Sequence, residues 1–90
     1  MKSTTIKEGI FNLVDFPKEV LLNLPKLTLI GDTQATLENH RGIIEYIPER
    51  IRINTSIGIF KICGENLMIN SIMTEIIVIT GKIESIEILD

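Results

Sequence analysis

A lone histidine, His40, sits between Asn39 and Arg41 and two residues after Glu38. In principle an imidazole there could act as a general base, with Glu38 or Asp32 orienting the ring. The rest of such a site is missing from the sequence. No nucleophile has a recognisable setting, no second histidine offers a metal-binding pair, and no glycine-rich loop could cradle a phosphate. Glu38 and Glu45 would approach each other across a hairpin, but two exposed carboxylates do not by themselves make a glycosidase site. Cys63 follows Phe60-Lys61-Ile62 at a strand end, the setting of an inert thiol. The aromatic residues are Phe11, Phe16, Tyr46 and Phe60, too few for a stacking platform. The histidine reads as a hydrogen-bonding turn residue, and no enzyme is expected.

Composition narrows the remaining classes. The chain has 90 residues, a formal net charge of -3 and one cysteine. A domain this short buries roughly 60% of the surface its unfolded chain exposes, so association with a partner or a second copy is expected. The mild acidity argues against nucleic acid, whose binding rests on a basic footprint. One thiol excludes an intrachain disulfide, and nothing resembles a structural zinc site. No secretory signal and no apolar run of membrane-spanning length is visible, so an intracellular chain without membrane insertion is expected. Cations concentrate in the middle, at Arg41, Arg50, Arg52 and Lys61, while the end carries Glu65, Glu75, Glu84, Glu87 and Asp90. That asymmetry reads first as solvated surface, although it could steer a head-to-tail contact.

Two regions must carry these residues. In residues 1–25, Thr5-Ile6-Lys7-Glu8 fits a capping box, and Ile6, Ile10, Phe11, Leu13 and Val14 recur near helical spacing. Asp15 and Pro17 offer a second start, followed by Val20, Leu21 and Leu24 and stopped by Pro25. The expectation is a helical segment that lids a β body, or else an amphipathic docking helix. Its lysines (Lys2, Lys7, Lys18) are offset by Glu8, Asp15 and Glu19, which disfavours a membrane surface.

From Lys26 the apolar period becomes two. Short strands alternate with turns at Gly31-Asp32, Asn39 to Gly42, Pro48-Glu49, Thr55-Ser56, Gly64-Glu65 and Gly81. Arg50-Ile51-Arg52-Ile53-Asn54 is the cleanest alternation, with its arginines on one face and its isoleucines on the other. The Asn39–Gly42 stretch reads as a hairpin loop with a glycine bulge. This density of strands predicts an all-β antiparallel meander over residues 26–90, rolled into a small barrel or sandwich. A short β-solenoid is the alternative, since the later strands are similar in length and glycine punctuation.

The segment Glu75-Ile76-Ile77-Val78-Ile79-Thr80 is nearly continuous apolar rather than alternating. Such a strand is covered on both faces or is an aggregation hazard. In a small sheet the second cover would come from the N-terminal segment or from another subunit. Ile76, Ile77, Val78 and Ile79 are therefore the candidate buried contact surface.

From Asp15 onward the chain resembles the YabP/YqfC family of sporulation proteins, and among these the YqfC-like members. The resemblance is carried by Asp15, Pro17, Leu22, Leu24-Pro25-Lys26-Leu27-Thr28, Gly31, Glu38-Asn39-His40-Arg41-Gly42, Gly64-Glu65-Asn66-Leu67 and Gly81-Lys82-Ile83. It implies a protein of endospore-forming bacteria, made in the mother cell, and a membrane-anchored sporulation partner of the YqfD type. No catalytic residues are defined for the family, so none carries over.

The sequence thus predicts a non-enzymatic β module that assembles with itself or with that partner in spore envelope or cortex morphogenesis. No cofactor, metal or nucleic acid is expected, and the place is the mother-cell cytoplasm or the membrane around the forespore. Asn39, His40 and Arg41 would form a polar recognition loop, and Arg50 and Arg52 an exposed basic stripe. The competing expectation is a regulatory or ligand-binding barrel whose mouth the His40 loop lines.

Overall fold

The computed structural model describes residues 23–90, so the expected N-terminal helix lies outside the described residues. The described chain is a six-stranded antiparallel sheet. Its strands are β1 (Lys26–Ile30), β2 (Gln34–Glu38), β3 (His40–Ile47), β4 (Arg50–Thr55), β5 (Gly58–Ile72) and β6 (Ile76–Leu89). Their order across the sheet is β1-β2-β6-β5-β4-β3. Every pairing is antiparallel, which rules out the solenoid alternative.

Two features depart from a plain meander. β2 pairs with β6 rather than with its successor β3. The Asn39 stretch is therefore a corner between two parts of the sheet, and Glu38 and Glu45 do not face each other. Asn39 makes the turn at φ +64, a left-handed conformation that asparagine tolerates better than most side chains. Gly42, at φ +111, does mark a bulge, but inside β3.

The second departure is that Gly64-Glu65 and Gly81 are bends inside long strands rather than turns. β5 and β6 run as one hairpin, with register shifts at Cys63/Gly64, Glu65/Met68 and Ile69/Ser71. Bulges add local twist and bend the strand that carries them. Past the bend, residues 76–80 of β6 pair with β2 and with the end of β5. Before it, residues 58–63 of β5 pair with β4. The long hairpin is thus shared by two four-stranded halves.

Neighbouring turns clamp the bend from both sides. The Gly64 and Leu67 amides donate to the Glu49 and Pro48 carbonyls at 3.0 and 2.8 Å. The Gly81 and Ile83 amides donate to the Thr33 and Asp32 carbonyls at 3.2 and 2.7 Å. The strands cross so closely here that a Cβ on Gly64 would collide with the Lys82 carbonyl, and one on Gly81 would lie 2.6 Å from the Asn66 oxygen. Asn66 itself sits at φ +53.

The bend turns the two halves toward one core. Ala35, Leu37, Ile77 and Ile79 enter it from one half, and Ile51, Ile53, Phe60 and Ile62 from the other, with Leu67 and Ile83 at the hinge. β-branched side chains dominate because they fill a pleated face with little loss of rotamer freedom. The roll does not close. Along one seam β1 faces the last part of β6 without pairing to it. Along the other, β3 faces the end of β5, bridged by the Tyr46 hydroxyl, which accepts from the Ile69 amide at 3.0 Å.

Candidate functional site

The family-like blocks of the sequence serve as joints of the fold. Asn39 donates from its side-chain amide to the Leu24 carbonyl at 2.7 Å, and its backbone N–H donates to Glu75 O at 2.8 Å. It ties the incoming chain and the β5–β6 loop to one corner. His40 lies half-buried at the same corner. Its Nδ1 accepts from the Gly42 N–H at 2.9 Å, and its Nε2 lies 3.3 Å from the Met73 carbonyl. An acceptor role at Nδ1 places the proton on Nε2, which donates to Met73. Both ring nitrogens are thus engaged by backbone. Arg41, adjacent in sequence, is exposed.

Arg50 and Arg52 lie where the alternation of β4 predicts, on the outer face, while Ile51 and Ile53 fill the core. Pairing sets them in a row that continues over the sheet through Glu45, Arg52, Lys61 and Glu87. The Glu45 carboxylate joins both arginines. Its Oε1 accepts from Arg50 Nε at 2.7 Å and Arg52 Nε at 2.8 Å, and its Oε2 accepts from Arg50 Nη2 at 2.8 Å. Lys61 Nζ lies 3.6 Å from Glu87. These side chains and Leu89 line a shallow depression of about 230 Å3. The expected basic stripe is therefore a mixed-charge ladder, because a carboxylate on the neighbouring strand accepts from both guanidiniums. Sequence reasoning paired Glu45 with Glu38; the true partner depended on which strands adjoin.

The fork of Arg50 on Glu45, reinforced by Arg52, holds the carboxyl at about 2 against its ordinary 4.5, with desolvation opposing the shift. The sign follows directly. A carboxyl with a depressed folded-state pKa stabilises the fold above 4.5, and that contribution fades as pH falls toward 2. Urea unfolding at pH 6, 4 and 3 should therefore show the wild type losing stability more steeply than Glu45→Gln across that window. Parallel profiles would remove Glu45 from the acid response.

The strand from Ile76 to Ile79 divides between two roles. Ile77 and Ile79 have no exposed surface and belong to the core, so they are unavailable to a neighbour. Ile76 and Val78 are half-buried on the outer face, beside Glu38 and Thr36 of β2. The run reads as continuously apolar because the core takes one face and a half-covered surface takes the other. No subunit is required to explain it, which corrects the expectation for Ile77 and Ile79.

What the sequence did not single out is the distribution of exposed apolar side chains. Among the described residues, the large exposed hydrophobics all lie on the strands and turns that flank the two seams. Ile43, Ile44, Tyr46 and Ile47 lie on β3, along the seam that the Tyr46 hydroxyl bridges, and Met68 and Ile72 lie on the β5 arm across it, with Met73 just beyond. Leu29 and Ile30 of β1 and Ile57 of the β4–β5 turn accompany Ile88 and Leu89 of β6. Alternation hid this signal, since a period-two strand leads one to expect its apolar set inside. Edge strands break that rule when the sheet fails to close over them.

Among the described residues no cluster of three or more His, Cys, Asp or Glu is placed to hold a metal ion. Nor is any helix there long and apolar enough to cross a membrane.

A Bacillus subtilis (strain 168) protein described as the uncharacterized protein YqfC is 28% identical over 83 residues, which cover 92% of this chain and 89% of that protein. No solved structure matches the chain. The YabP family model matches residues 23–90, the whole curled sheet with its corner and bend. The chain belongs to the YabP family.

Proposed function

We propose that the protein is a non-enzymatic assembly component of endospore envelope or cortex morphogenesis, acting by protein–protein contact. The observation that carries this reading is the apolar rim along the β3–β5 seam. Ile44, Tyr46, Met68 and Ile72 stand about half exposed or more on two strand edges that do not pair with each other. A concentrated apolar patch of this kind marks an interaction surface. Unpaired edges add rows of N–H and C=O groups that a further strand can satisfy. Methionines at the rim suit a surface that adapts to its partner. The partner is a second copy of the chain or a membrane-anchored sporulation protein, and the setting is the mother cell, as the family resemblance implies. A role for the His40 loop as a ligand mouth gains no support, because both ring nitrogens are held by backbone.

The test is the association state. Light scattering on the purified chain should show mass rising with concentration, and Ile44→Glu should lower that mass to a monomer's while leaving the thermal midpoint within a few degrees. A side chain already exposed contributes little to the fold, roughly 0.5 kcal/mol on substitution. A strict monomer at every concentration, with no binding to the membrane-anchored partner, would defeat the proposal.

A further inference from the structure

The outer face of the β4–β5 pair carries two cations that no carboxylate bridges. Arg52 and Lys61 stand directly opposite each other on the adjacent strands. Like charges so placed lie roughly 5 Å apart at Cβ and repel, unless an anion sits between them. The acidic residues lie at the two ends of the row, Glu45 on β3 and Glu87 on β6. Glu45 is committed to Arg50 through a two-bond fork and takes only the Nε N–H of Arg52, at 2.8 Å. Glu87 approaches Lys61 at 3.6 Å, too far for a hydrogen bond, and its side chain is 57% exposed. Among the described residues, the Nη groups of Arg52 and the Nζ of Lys61 therefore donate to no acceptor.

Both cations line the depression of about 230 Å3, together with Glu45, Arg50 and Leu89. A water takes about 30 Å3 in the liquid, so an oxyanion fits with part of its hydration shell. Leu89 follows Glu87 on the same face of β6 and gives the depression an apolar wall. Such a wall excludes water and strengthens the attraction of the cations beside it. Arg50, Arg52 and Lys61 against Glu45 and Glu87 leave the site with an excess of positive charge. A guanidinium fork matches the paired oxygens of a carboxylate or phosphate, and an ammonium adds a point charge beside it.

We propose that this depression is a binding site for a single oxyanion, a carboxylate or a phosphate, held between Arg52 and Lys61. Glu45 is a positioning residue: it fixes Arg52 through Nε and leaves the rest of the guanidinium for the ligand. Glu87 competes with the ligand for Lys61. The site lies on the sheet face and does not depend on the assembly surface along the β3–β5 seam.

Titration of the 15N-labelled full chain with inorganic phosphate tests it, with sodium chloride holding the ionic strength constant. The Arg52 Nε–H and Lys61 amide signals should shift and saturate with a Kd of about 1 mM, the range of an exposed, salt-screened contact. Arg52→Gln and Lys61→Gln should each weaken binding about tenfold, the worth of one charge-assisted hydrogen bond. Lys26→Gln removes the same charge from exposed β1 and should leave binding as it was. Glu87→Gln should tighten binding by about threefold, because it removes a weak surface competitor. Should Arg52→Gln disturb the fold, Lys61→Gln and Glu87→Gln decide, since each loses only the loose 3.6 Å pair. A second arm with sodium butyrate separates the sources. Tighter saturation by butyrate marks a carboxylate whose stem rests on Leu89, tighter saturation by phosphate marks a phosphate group, and either supports the proposal. Shifts that fail to saturate with both anions overturn it. So does equal weakening by Lys26→Gln, which would reduce the effect to net charge.

Discussion

Ile77→Glu is expected to abolish the fold rather than to dissociate an assembly. Ile77 is fully buried, paired with Leu37 of β2 on one side and Ile72 of β5 on the other. An ionised carboxylate there has no cation among its strand partners, and burying it unpaired costs several kcal/mol even after relaxation. A domain of this size has roughly 5–15 kcal/mol in all, so the loss takes most of the stability. Circular dichroism should show no cooperative thermal transition for the variant. Val78→Glu, one position on, is the control. Val78 is half-buried on the outer face between Thr36 and Ser71, and its substitution should cost only about 1 kcal/mol. If Ile77→Glu melted like the wild type and changed only the oligomeric mass, the assignment of this strand to the core would be wrong.

Gly64→Ala is expected to be strongly destabilising for a change of a single methyl group. A Cβ at position 64 has no free direction, since it would meet the Lys82 carbonyl and the Leu67 side chain. Backbone must move, and this backbone is clamped by the Gly64 and Leu67 amides on the Pro48-Glu49 turn. Overpacking against a rigid neighbour costs typically 1–3 kcal/mol and more where nothing can give, so about 3 kcal/mol is expected. For a chain of this length that lowers the thermal midpoint by roughly 10–20 °C. Gly42→Ala gives the contrast, because nothing lies within 4 Å of a Cβ there, and only its φ of +111 opposes the change. A Gly64→Ala midpoint equal to that of Gly42→Ala would show that the bend relaxes freely.

These expectations trace what could be read from residue order. The alternation in Arg50 to Asn54 located the core face of β4, because side chains on a strand point to opposite faces in turn. Asn39-His40-Arg41-Gly42 was legible as a place where the chain turns, since asparagine and glycine accept positive φ. Its geometry was not legible. A hairpin and a corner demand the same turn residues, and they differ only in whether the strand before pairs with the strand after. β2 pairs with β6, some forty residues away, and no local pattern records that choice. Gly64-Glu65 and Gly81 misled for a related reason. Glycine marks equally a turn between strands and a point where two backbones approach too closely for a Cβ, and the second applies here.

The candidate contact surfaces followed the same division. Sequence order drew attention to Ile76–Ile79 because hydrophobicity was concentrated there, yet half of that segment proved to be core. The β3 edge drew none, since Ile43, Ile44, Tyr46 and Ile47 look like any strand that buries one face. They are exposed because the sheet curls without closing, and closure depends on strand count, bend position and the reach of each edge.

Residue order by itself determined the strand content, the faces of β4, the places where the backbone turns and the family to which those turns belong. Each of these is set by interactions within a few residues, where side-chain period and φ preference act directly. Tertiary structure alone decided that β2 lies on β6, that Glu45 gathers Arg50 and Arg52, that Ile77 is core and Ile44 is rim, and that two seams stay open. Those outcomes come from long-range pairing, in which distant strands compete for the same edges, and the winning arrangement is the one that buries the most apolar surface while satisfying the backbone.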